Sequence, residues 1–512
     1  MKRFITYIAS ALVLISAGCK KGYLDVNDNP NDAVSSTPDL VLPNGLVRTA
    51  AILDNPLGTF SYVSGWMGYI AISGSYAISN NDFTTYRQTS AFGENAWQNF
   101  YHNLADYDYV VKNSTGFYKG VATVMKSLDF QYLVDLFNNV PYSEALQGTA
   151  IVHPKYDDAQ AIYGDIFKKI DSAMILINLA PDAPSPKADL LFSRLAGTTI
   201  PIGAADFANT KTLWLKFANT IKLRMIERMS EMTAKPAYFA PELAIVAGDP
   251  NGFLTVDASV NPGYLNTTGK LNPFFGSNFN SSGTYINDFW RANAYAISLF
   301  QTTSDPRLGR VYNSVSGNYV GNSLGLGGAV GSASSTFGPG VVQAFSQDAV
   351  IMLAAESYFI QAEAAVRGWI TGNAQALYEA GVRESFRYLG VPNYATAAAT
   401  YVSNGNALTT WSTATTNNAK ISLIISQKYL AEDLINVLEP YCDYRRFLNN
   451  TSGIVIKAFT AAGGGGILTQ SPSVDVRQIP YRLLYPSSEV TTNPGNIPGN
   501  IDHHTSKIFW MP

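Results

Sequence analysis

The sequence predicts a mainly α-helical fold, in which paired helices form a superhelical scaffold that carries long, loop-rich insertions. Apolar residues recur at steps of three and four in several stretches, which is the spacing of one face of a helix. These stretches come in pairs. Between some of the pairs the chain is rich in Gly and Ser, which is typical of surface loops.

The clearest pair of helices is predicted over Ile351–Leu389, where a Thr-Gly-Asn break separates two apolar stripes. The small residues Ala362, Ala365 and Gly381 allow a close approach, so we expect them at the contact between the two helices. The length of the unit and its Ala/Gly and aromatic spacing resemble a tetratricopeptide repeat. The stripes consist of Met352, Ala355, Phe359, Ala362, Val366 and Trp369, and then of Tyr378, Val382, Phe386 and Leu389.

Similar tetratricopeptide-like pairs are predicted elsewhere in the chain. Ala96–Val111 is followed by Phe117–Phe137, and the two stretches form one pair. Asp157–Leu179 is expected to partner Lys211–Met229. Lys420–Leu438 is predicted as a further helix. Because the loop-rich segments are interpreted as surface loops on this scaffold, we expect a single domain over residues 19–512.

Composition excludes several classes of protein. Charged residues make up 14% and aromatic residues 12% of the 512 residues, whereas an average soluble domain has about 25% charged residues. A disordered chain would be poor in aromatic residues and rich in charge. The net charge of −3 argues against a nucleic-acid binder that relies on counterion release.

Residues 1–18 are predicted to be a lipoprotein signal peptide. Lys2 and Arg3 form a basic region, and Phe4–Ala17 is an apolar stretch too short to span a bilayer. Small residues then lead to Cys19, as in a bacterial lipobox, in which the thiol is acylated and the chain is cut before it. An ordinary secretory signal is the alternative. We therefore expect a lipid anchor at Cys19.

The sequence offers no recognisable constellation for catalysis or for a metal ion. None of the four histidines lies in an HExxH pattern, and His503 and His504 are predicted to be an exposed pair in the tail. Cys442 has no histidine near it in sequence and is predicted to be a buried structural thiol. We therefore expect a protein that is not an enzyme and that has no cofactor and no metal.

An ordered set of short motifs runs through nearly the whole chain after Cys19. The set comprises Tyr23–Asn31 (YLDVNDNPN), Asp135–Ala145 (DLFNNVPYSEA), Lys216–Asn219 with Lys222–Arg224, Ala355–Ala364 (AESYFIQAEA), Gln427–Leu430, Asp443–Arg446, and Arg482 with Tyr485, Pro486 and Glu489. Behind the predicted lipobox, this set resembles the SusD/RagB family of nutrient-binding outer-membrane lipoproteins of Bacteroidetes.

The resemblance implies a fold of tetratricopeptide-like helix pairs and a place on the outer face of the outer membrane. Members of the family lie over a TonB-dependent transporter of the SusC type and act as a hinged lid, without covalent chemistry. The resemblance therefore implies a lipoprotein that captures oligosaccharide for such a transporter. The alternatives are a peptide-binding lid of the same type of transporter, a helical secreted glycosidase, and a helical adaptor that binds protein partners through its repeats.

The ligand site is predicted where aromatic residues alternate with amide and charged residues, because sugars present flat C–H faces ringed by hydroxyl groups. The predicted site consists of Trp66, Tyr76 and Tyr86 for stacking and of Asn81, Asp82 and Arg87 for hydrogen bonds. A second stretch of the same character contains Asn272, Phe274, Phe275, Asn278, Phe279, Asn280 and Trp290. Trp290 is equally compatible with the core, whereas Trp97 and Phe100 lie on a helical stripe and are predicted to be core.

Overall fold

The computed structural model describes residues 36–76, 82–184, 188–193, 204–325, 333–448 and 479–512. The predicted lipid-attachment residue Cys19 and the predicted ligand residue Asn81 lie outside these ranges. The chain from Pro38 to Pro512 packs into one compact unit. Residue 19, where the single domain is predicted to begin, also lies outside the described residues.

Helices dominate the described chain, as the sequence predicts. The α-helices are α1 (Pro38–Leu53), α2 (Ser61–Trp66), α3 (Asp82–Thr85), α4 (Glu94–Asn113), α5 (Gly116–Phe137), α6 (Ala159–Leu179), α7 (Ala204–Arg228), α8 (Phe239–Gly248), α9 (Pro273–Gly276), α10 (Ala294–Thr302), α11 (Leu308–Val311), α12 (Ala354–Val366), α13 (Ala374–Tyr388), α14 (Tyr394–Val402), α15 (Asn417–Ala431), α16 (Leu438–Arg446) and α17 (Ser487–Thr492). The strands are β1 (Ile70–Ile72), β2 (Val140–Pro141), β3 (Tyr156–Asp157), β4 (Ala258–Val260), β5 (Trp290–Ala292) and β6 (Ala349–Met352). No helix within the described ranges is both long and apolar enough to cross a membrane.

Helices α4 to α7 pack one against the next in chain order. The pair predicted at Ala96–Val111 and Phe117–Phe137 is confirmed by α4 and α5. The pair predicted at Asp157–Leu179 and Lys211–Met229 is confirmed by α6 and α7. Each helix buries its apolar face against its neighbours, which is how tetratricopeptide-like pairs build a scaffold.

Helices α12 and α13 form the contact predicted from small residues. Gly381 lies against the ring of Phe359, so close that an added Cβ atom would come within 2.8 Å of it. Ala362 is fully buried, whereas Ala365 is only half-buried. The prediction that Met352 belongs to the helix is wrong. Met352 lies in strand β6, which pairs with β4, and α12 begins only at Ala354.

The helix predicted at Lys420–Leu438 is two helices. Helix α15 ends at Ala431, and Leu438 is the first residue of α16. Between them Leu434 adopts a φ of 59°, in the left-handed region that ends a right-handed helix. The apolar spacing of the sequence continues across this break, so the spacing alone does not reveal the turn between the two helices.

A buried ionic network joins α7, α15 and α16. Both carboxylate oxygens of Glu439 accept hydrogen bonds from Arg228 Nη2 at 2.7 Å. Lys428 Nζ lies 3.2 Å from Asp443 Oδ2. Burial raises the pKa of the neighbouring Glu227. Because all five side chains are almost completely excluded from solvent, their charges are compensated only within the protein.

The C-terminal segment packs into the core beside the described cysteine. Cys442 is buried, as predicted, and burial raises the pKa of its thiol to about 11. Arg445 Nη2 lies 3.1 Å from Cys442 Sγ. Trp510 is fully buried, and its indole N–H donates to Asp135 at 2.8 Å. The tail is therefore part of the folded core.

The described residues form three small antiparallel sheets, two of which join parts of the chain that are far apart in sequence. Strand β1 pairs with β5, β2 with β3, and β4 with β6. In the first sheet Ile70 lies opposite Ala292 and Ile72 lies opposite Trp290. This pairing holds the loop after β1 next to the segment that leads into β5.

Candidate functional site

Pairing of β1 with β5 brings the two predicted aromatic stretches together. Strand β1 lies between Trp66 and Tyr76, and β5 begins at Trp290. The amide of Ser73 donates to the carbonyl of Phe289 at 2.8 Å, which extends the contact beyond the strands. Two stretches that are far apart in sequence thus contribute to one surface.

Four aromatic rings meet at this surface and form what we call the Tyr76–Trp290 cluster: Tyr76, Phe83, Phe289 and Trp290. The ring centroids of Tyr76 and Phe289 are 4.9 Å apart, and those of Phe289 and Trp290 are 4.7 Å apart. Phe83 is buried and lies edge-on to Trp290 at 5.6 Å. The other three rings are half-buried, so each keeps part of its surface in solvent.

Buried polar side chains fix the backbone next to the Tyr76–Trp290 cluster. The side-chain oxygen of Asn287 accepts a hydrogen bond from the amide of Trp290 at 3.0 Å, and its Nδ2 donates to Asn278 Oδ1 at 3.0 Å. Arg291 Nη1 donates to the carbonyls of Asn287 and Trp290 at 2.9 and 2.8 Å. The backbone that carries the Trp290 ring is therefore held before any ligand arrives.

Polar groups surround the rings. Asp288 is exposed and accepts a hydrogen bond from the hydroxyl of Tyr76, which raises the pKa of that hydroxyl. Two predicted hydrogen-bonding residues lie at α3. Asp82 is the first residue of this helix, and Arg87 follows its last residue, Thr85, by two positions. Asp82 is half-buried and Arg87 is exposed. The arrangement offers ring faces for C–H groups and the Asp288 carboxylate for hydroxyls.

The stacking role predicted for Trp66 and Tyr86 is wrong, because both rings are fully buried. Trp66 lies parallel to Phe92 at 5.7 Å, and its indole N–H donates to a backbone carbonyl at 3.3 Å. Tyr86 lies edge-on to Trp66 at 6.4 Å. A sequence signal for the core was present, since Tyr62 and Trp66 lie four residues apart on one face of α2.

The second predicted stretch divides between core and surface. Phe274, Asn272 and Asn278 are buried, and the side chain of Asn272 caps α9 by accepting from the amide of Phe275 at 2.9 Å. Phe275 and Phe279 are half-buried and stack at 5.2 Å. The side-chain oxygen of the half-buried Asn280 accepts hydrogen bonds from the backbone amides of the turn at residues 282 and 284. Trp97 and Phe100 are buried, as predicted.

The structure adds three residues that the sequence prediction missed, namely Phe83, Asp288 and Phe289. A signal for two of them was available, because residues 285–289 combine aromatic with polar side chains directly before Trp290. The position of Phe83 beneath Trp290 had no such signal, since it depends on the pairing of β1 with β5.

The described residues contain no group of three or more His, Cys, Asp or Glu side chains that could hold a metal ion. His503 and His504 are half-buried and not exposed, which corrects the prediction for the tail. Their rings lie 4.1 Å apart, and His503 Nε2 is 3.1 Å from the carbonyl of Tyr86. The pair is held by packing of the C-terminal segment against the core.

Comparison with known proteins agrees with this architecture. Residues 53–449 match the model of the SusD-like family described as "Starch-binding associating with outer membrane". None of the curated proteins compared with the chain matches it.

Several solved structures share the fold. A chitin-binding SusD homologue from Flavobacterium johnsoniae is 22% identical, with a TM-score of 0.69 over 92% of this chain and 98% of the other. A SusD homologue from Bacteroides fragilis is 20% identical, with a TM-score of 0.68 over 93% and 99%. A SusD homologue from Bacteroides uniformis is 22% identical, with a TM-score of 0.68 over 92% and 99%. At these identities the likeness is one of fold.

Proposed function

This chain belongs to the SusD-like family, and from that premise we propose that it captures oligosaccharide at the cell surface for a TonB-dependent transporter of the SusC type. The proposal goes beyond the family description in naming a ligand class, a partner and a mode of action. In this role the protein binds its ligand and carries out no covalent chemistry. The Tyr76–Trp290 cluster is the surface that we assign to the ligand.

The observation that carries the proposal is the set of half-buried rings bordered by charged groups. Tyr76, Phe289 and Trp290 are each half-buried, and the exposed Asp288 directly precedes Phe289 and contacts Tyr76. Each ring can cover the flat C–H face of one sugar residue. Two or three such contacts suit an oligosaccharide better than a single sugar.

Binding of malto-oligosaccharides and chito-oligosaccharides, measured by isothermal titration calorimetry, tests the site. The protein is the chain from Lys20 onward, which retains the compact unit Pro38–Pro512. We expect Tyr76→Ala combined with Trp290→Ala to weaken binding at least about tenfold, or ~1.4 kcal/mol. Tyr394→Ala is the matched control, because Tyr394 is exposed, lies on α14 and is not part of the Tyr76–Trp290 cluster.

Unchanged affinity in the double variant, with the far-ultraviolet circular dichroism of the parent, would remove the cluster from consideration. An equal loss of affinity in the Tyr394→Ala control would also remove the cluster from consideration. Arg87→Ala and Asp82→Asn, tested singly, report whether these predicted residues hydrogen-bond to the ligand; retention of full affinity by both would restrict the site to the rings and Asp288.

Peptide capture and glycoside hydrolysis are separated from this proposal by two further measurements. A glycan array and a peptide array probed with the same protein distinguish the two ligand classes. Incubation with polysaccharide followed by chromatography of the products tests for hydrolysis. Binding to peptides alone, or release of shorter sugars, would replace the proposed function.

The lipid anchor and the transporter partner are further parts of the proposal. The series of basic, apolar and small residues before Cys19 supports anchoring in the outer membrane with the folded unit facing the exterior. Cys19→Ala should release the protein from the outer-membrane fraction and abolish labelling by a radioactive fatty acid. Retention of the variant in that fraction with unchanged labelling would contradict the anchor. Co-purification of a TonB-dependent transporter with the full chain from detergent extracts tests the partner.

A further inference from the structure

A cavity of about 480 Å³ lies between α5 and α6, with one wall from the end of α4. The lining is more apolar than polar and includes Val111, Phe130, Ala173 and Leu176. The Phe130 ring is held edge-on against Tyr142 at 4.7 Å. A volume of this size lies within the range of about 300–1,000 Å³ that small-molecule pockets occupy.

Three lysines line the same cavity. Lys126 forms an ion pair with Asp108 at 2.7 Å, so its charge is already compensated. Lys119 and Lys169 also line the cavity, and no side chain of the described ranges forms an ion pair with either. Lys119 and Lys169 therefore bring positive charge to a largely apolar space without forming an ion pair in the described ranges.

One carboxylate, Asp165, also lines the cavity, where it forms no ion pair with Lys119 or Lys169, so three lysines of the lining stand against one aspartate. Asp165 accepts a hydrogen bond from the Tyr142 hydroxyl at 2.7 Å. Lys119 comes from α5 and Lys169 from α6, so the charges reach the cavity from both of the helices that form it.

Apolar surface continues from the cavity along α6. Leu176 lines the cavity, and its neighbours Ile175 and Leu179 are 60% and 73% exposed. Exposed large apolar side chains beside a pocket extend the area over which an apolar ligand can be desolvated. The cavity is lined by none of the residues of the Tyr76–Trp290 cluster, so it is a second and separate feature.

We propose that this cavity binds an organic anion, an apolar body that carries a carboxylate or a similar acid group. The apolar body fills the space against Phe130, Ala173 and Leu176, and the acid group pairs with the ammonium group of Lys119 or Lys169. A sugar without charge would leave both lysines uncompensated and would cover the apolar wall poorly. The site is thus complementary in chemistry to the proposed oligosaccharide surface and independent of it.

Fluorescence titration with 1-anilinonaphthalene-8-sulfonate tests the proposal, because the dye combines an aromatic body with one negative charge. Its uncharged counterpart, N-phenyl-1-naphthylamine, serves as the comparison ligand. The protein is again the chain from Lys20 onward, which keeps the whole unit Pro38–Pro512. We expect saturable binding of the anionic dye and weaker binding of the uncharged one.

Lys119→Ala combined with Lys169→Ala should weaken binding of the anionic dye by about fivefold or more, since each exposed charge contact contributes modestly. The control combines Lys168→Ala with Lys270→Ala, which removes the same charge from two exposed lysines that do not line the cavity. Thr123→Phe, which fills the cavity from α5, should abolish binding while circular dichroism stays that of the parent.

Displacement of the dye by phenylacetate or by a short acidic, leucine-containing peptide would support the site and would distinguish a free acid from a peptide side chain as its occupant. Displacement by neither would overturn the proposal. It would also be overturned if the parent did not bind the dye saturably, if both dyes bound equally, or if the two pairs of lysine variants behaved alike.

Discussion

Replacing Gly381 with leucine perturbs the contact between α12 and α13 at its closest point. A Cβ atom on residue 381 would lie 2.8, 2.9 and 3.0 Å from three ring carbons of Phe359. The optimal separation of two carbon atoms is about 3.5–4.0 Å. Phe359 is fully buried, so its ring has no solvent into which to move. The three remaining carbons of leucine would add to the same crowding.

Two effects of opposite sign determine how much a substitution at residue 381 changes the free energy of unfolding. Glycine inside a helix is less favourable than alanine by ~1 kcal/mol, so any side chain at residue 381 regains part of this. Overpacking a filled core costs about 1–3 kcal/mol. For Gly381→Ala the two effects largely offset each other. For Gly381→Leu the crowding exceeds the gain, and we expect a net loss of roughly 1–3 kcal/mol in the free energy of unfolding.

Urea unfolding followed by circular dichroism measures this loss as a shift of the midpoint at constant slope. Gly248→Ala is the control, because a Cβ atom there would meet no heavy atom within 4 Å, and we expect no loss. In a Phe359→Leu background the effect of Gly381→Leu should shrink, since the crowding ring is gone. A Gly381→Leu protein as stable as the parent, or a loss that is the same in both backgrounds, would refute the reasoning.

Two further predictions concern buried charge. Burial raises the pKa of Asp129 from 3.8 to about 8, so the stability contributed by its protonated form is complete below about pH 4 and is lost as the pH rises to 8. Asp129→Asn should therefore flatten the decline in unfolding free energy between these pH values, and parallel curves for parent and variant would contradict this. Glu439→Ala leaves Arg228 buried without its main partner and should cost about 3–5 kcal/mol in urea unfolding. Glu144→Ala, which breaks the exposed pair with Lys155, should cost less than about 1 kcal/mol, and equal losses would show that burial does not set the cost.

Most of the helical scaffold could be predicted because its signal is local. The apolar spacing of α4 to α7 reflects the face that each helix buries, and the close contact at Gly381 follows from residue size. The errors arose where tertiary structure overrides a local pattern. Met352 fits the helical stripe but pairs in a strand, and Leu434 interrupts a regular apolar pattern through its backbone conformation.

The candidate site could be predicted only in part, because burial of an aromatic ring depends on what folds over it. Trp66 and Trp290 both lie in stretches rich in aromatic and polar residues, yet Trp66 is covered by Phe92 and Tyr441, whereas Trp290 remains half-exposed. The position of Tyr76 beside Phe289 follows from the β1–β5 pairing, for which the single sequence carries no local signal.

Pairing of β1 with β5 also determines the order in which the protein can assemble. The side chain of Asn293 donates to the carbonyl of Ile70, 223 residues away, so this junction requires closure of a very long loop. Helices α4 to α7 need only contacts between neighbours in the chain and can form earlier. We therefore expect the aromatic surface, which rests on two strands of three residues each, to form late. Amide hydrogens of β1 and β5 should accordingly exchange with solvent faster than those of α5, and the ligand surface should then open more readily than that helix.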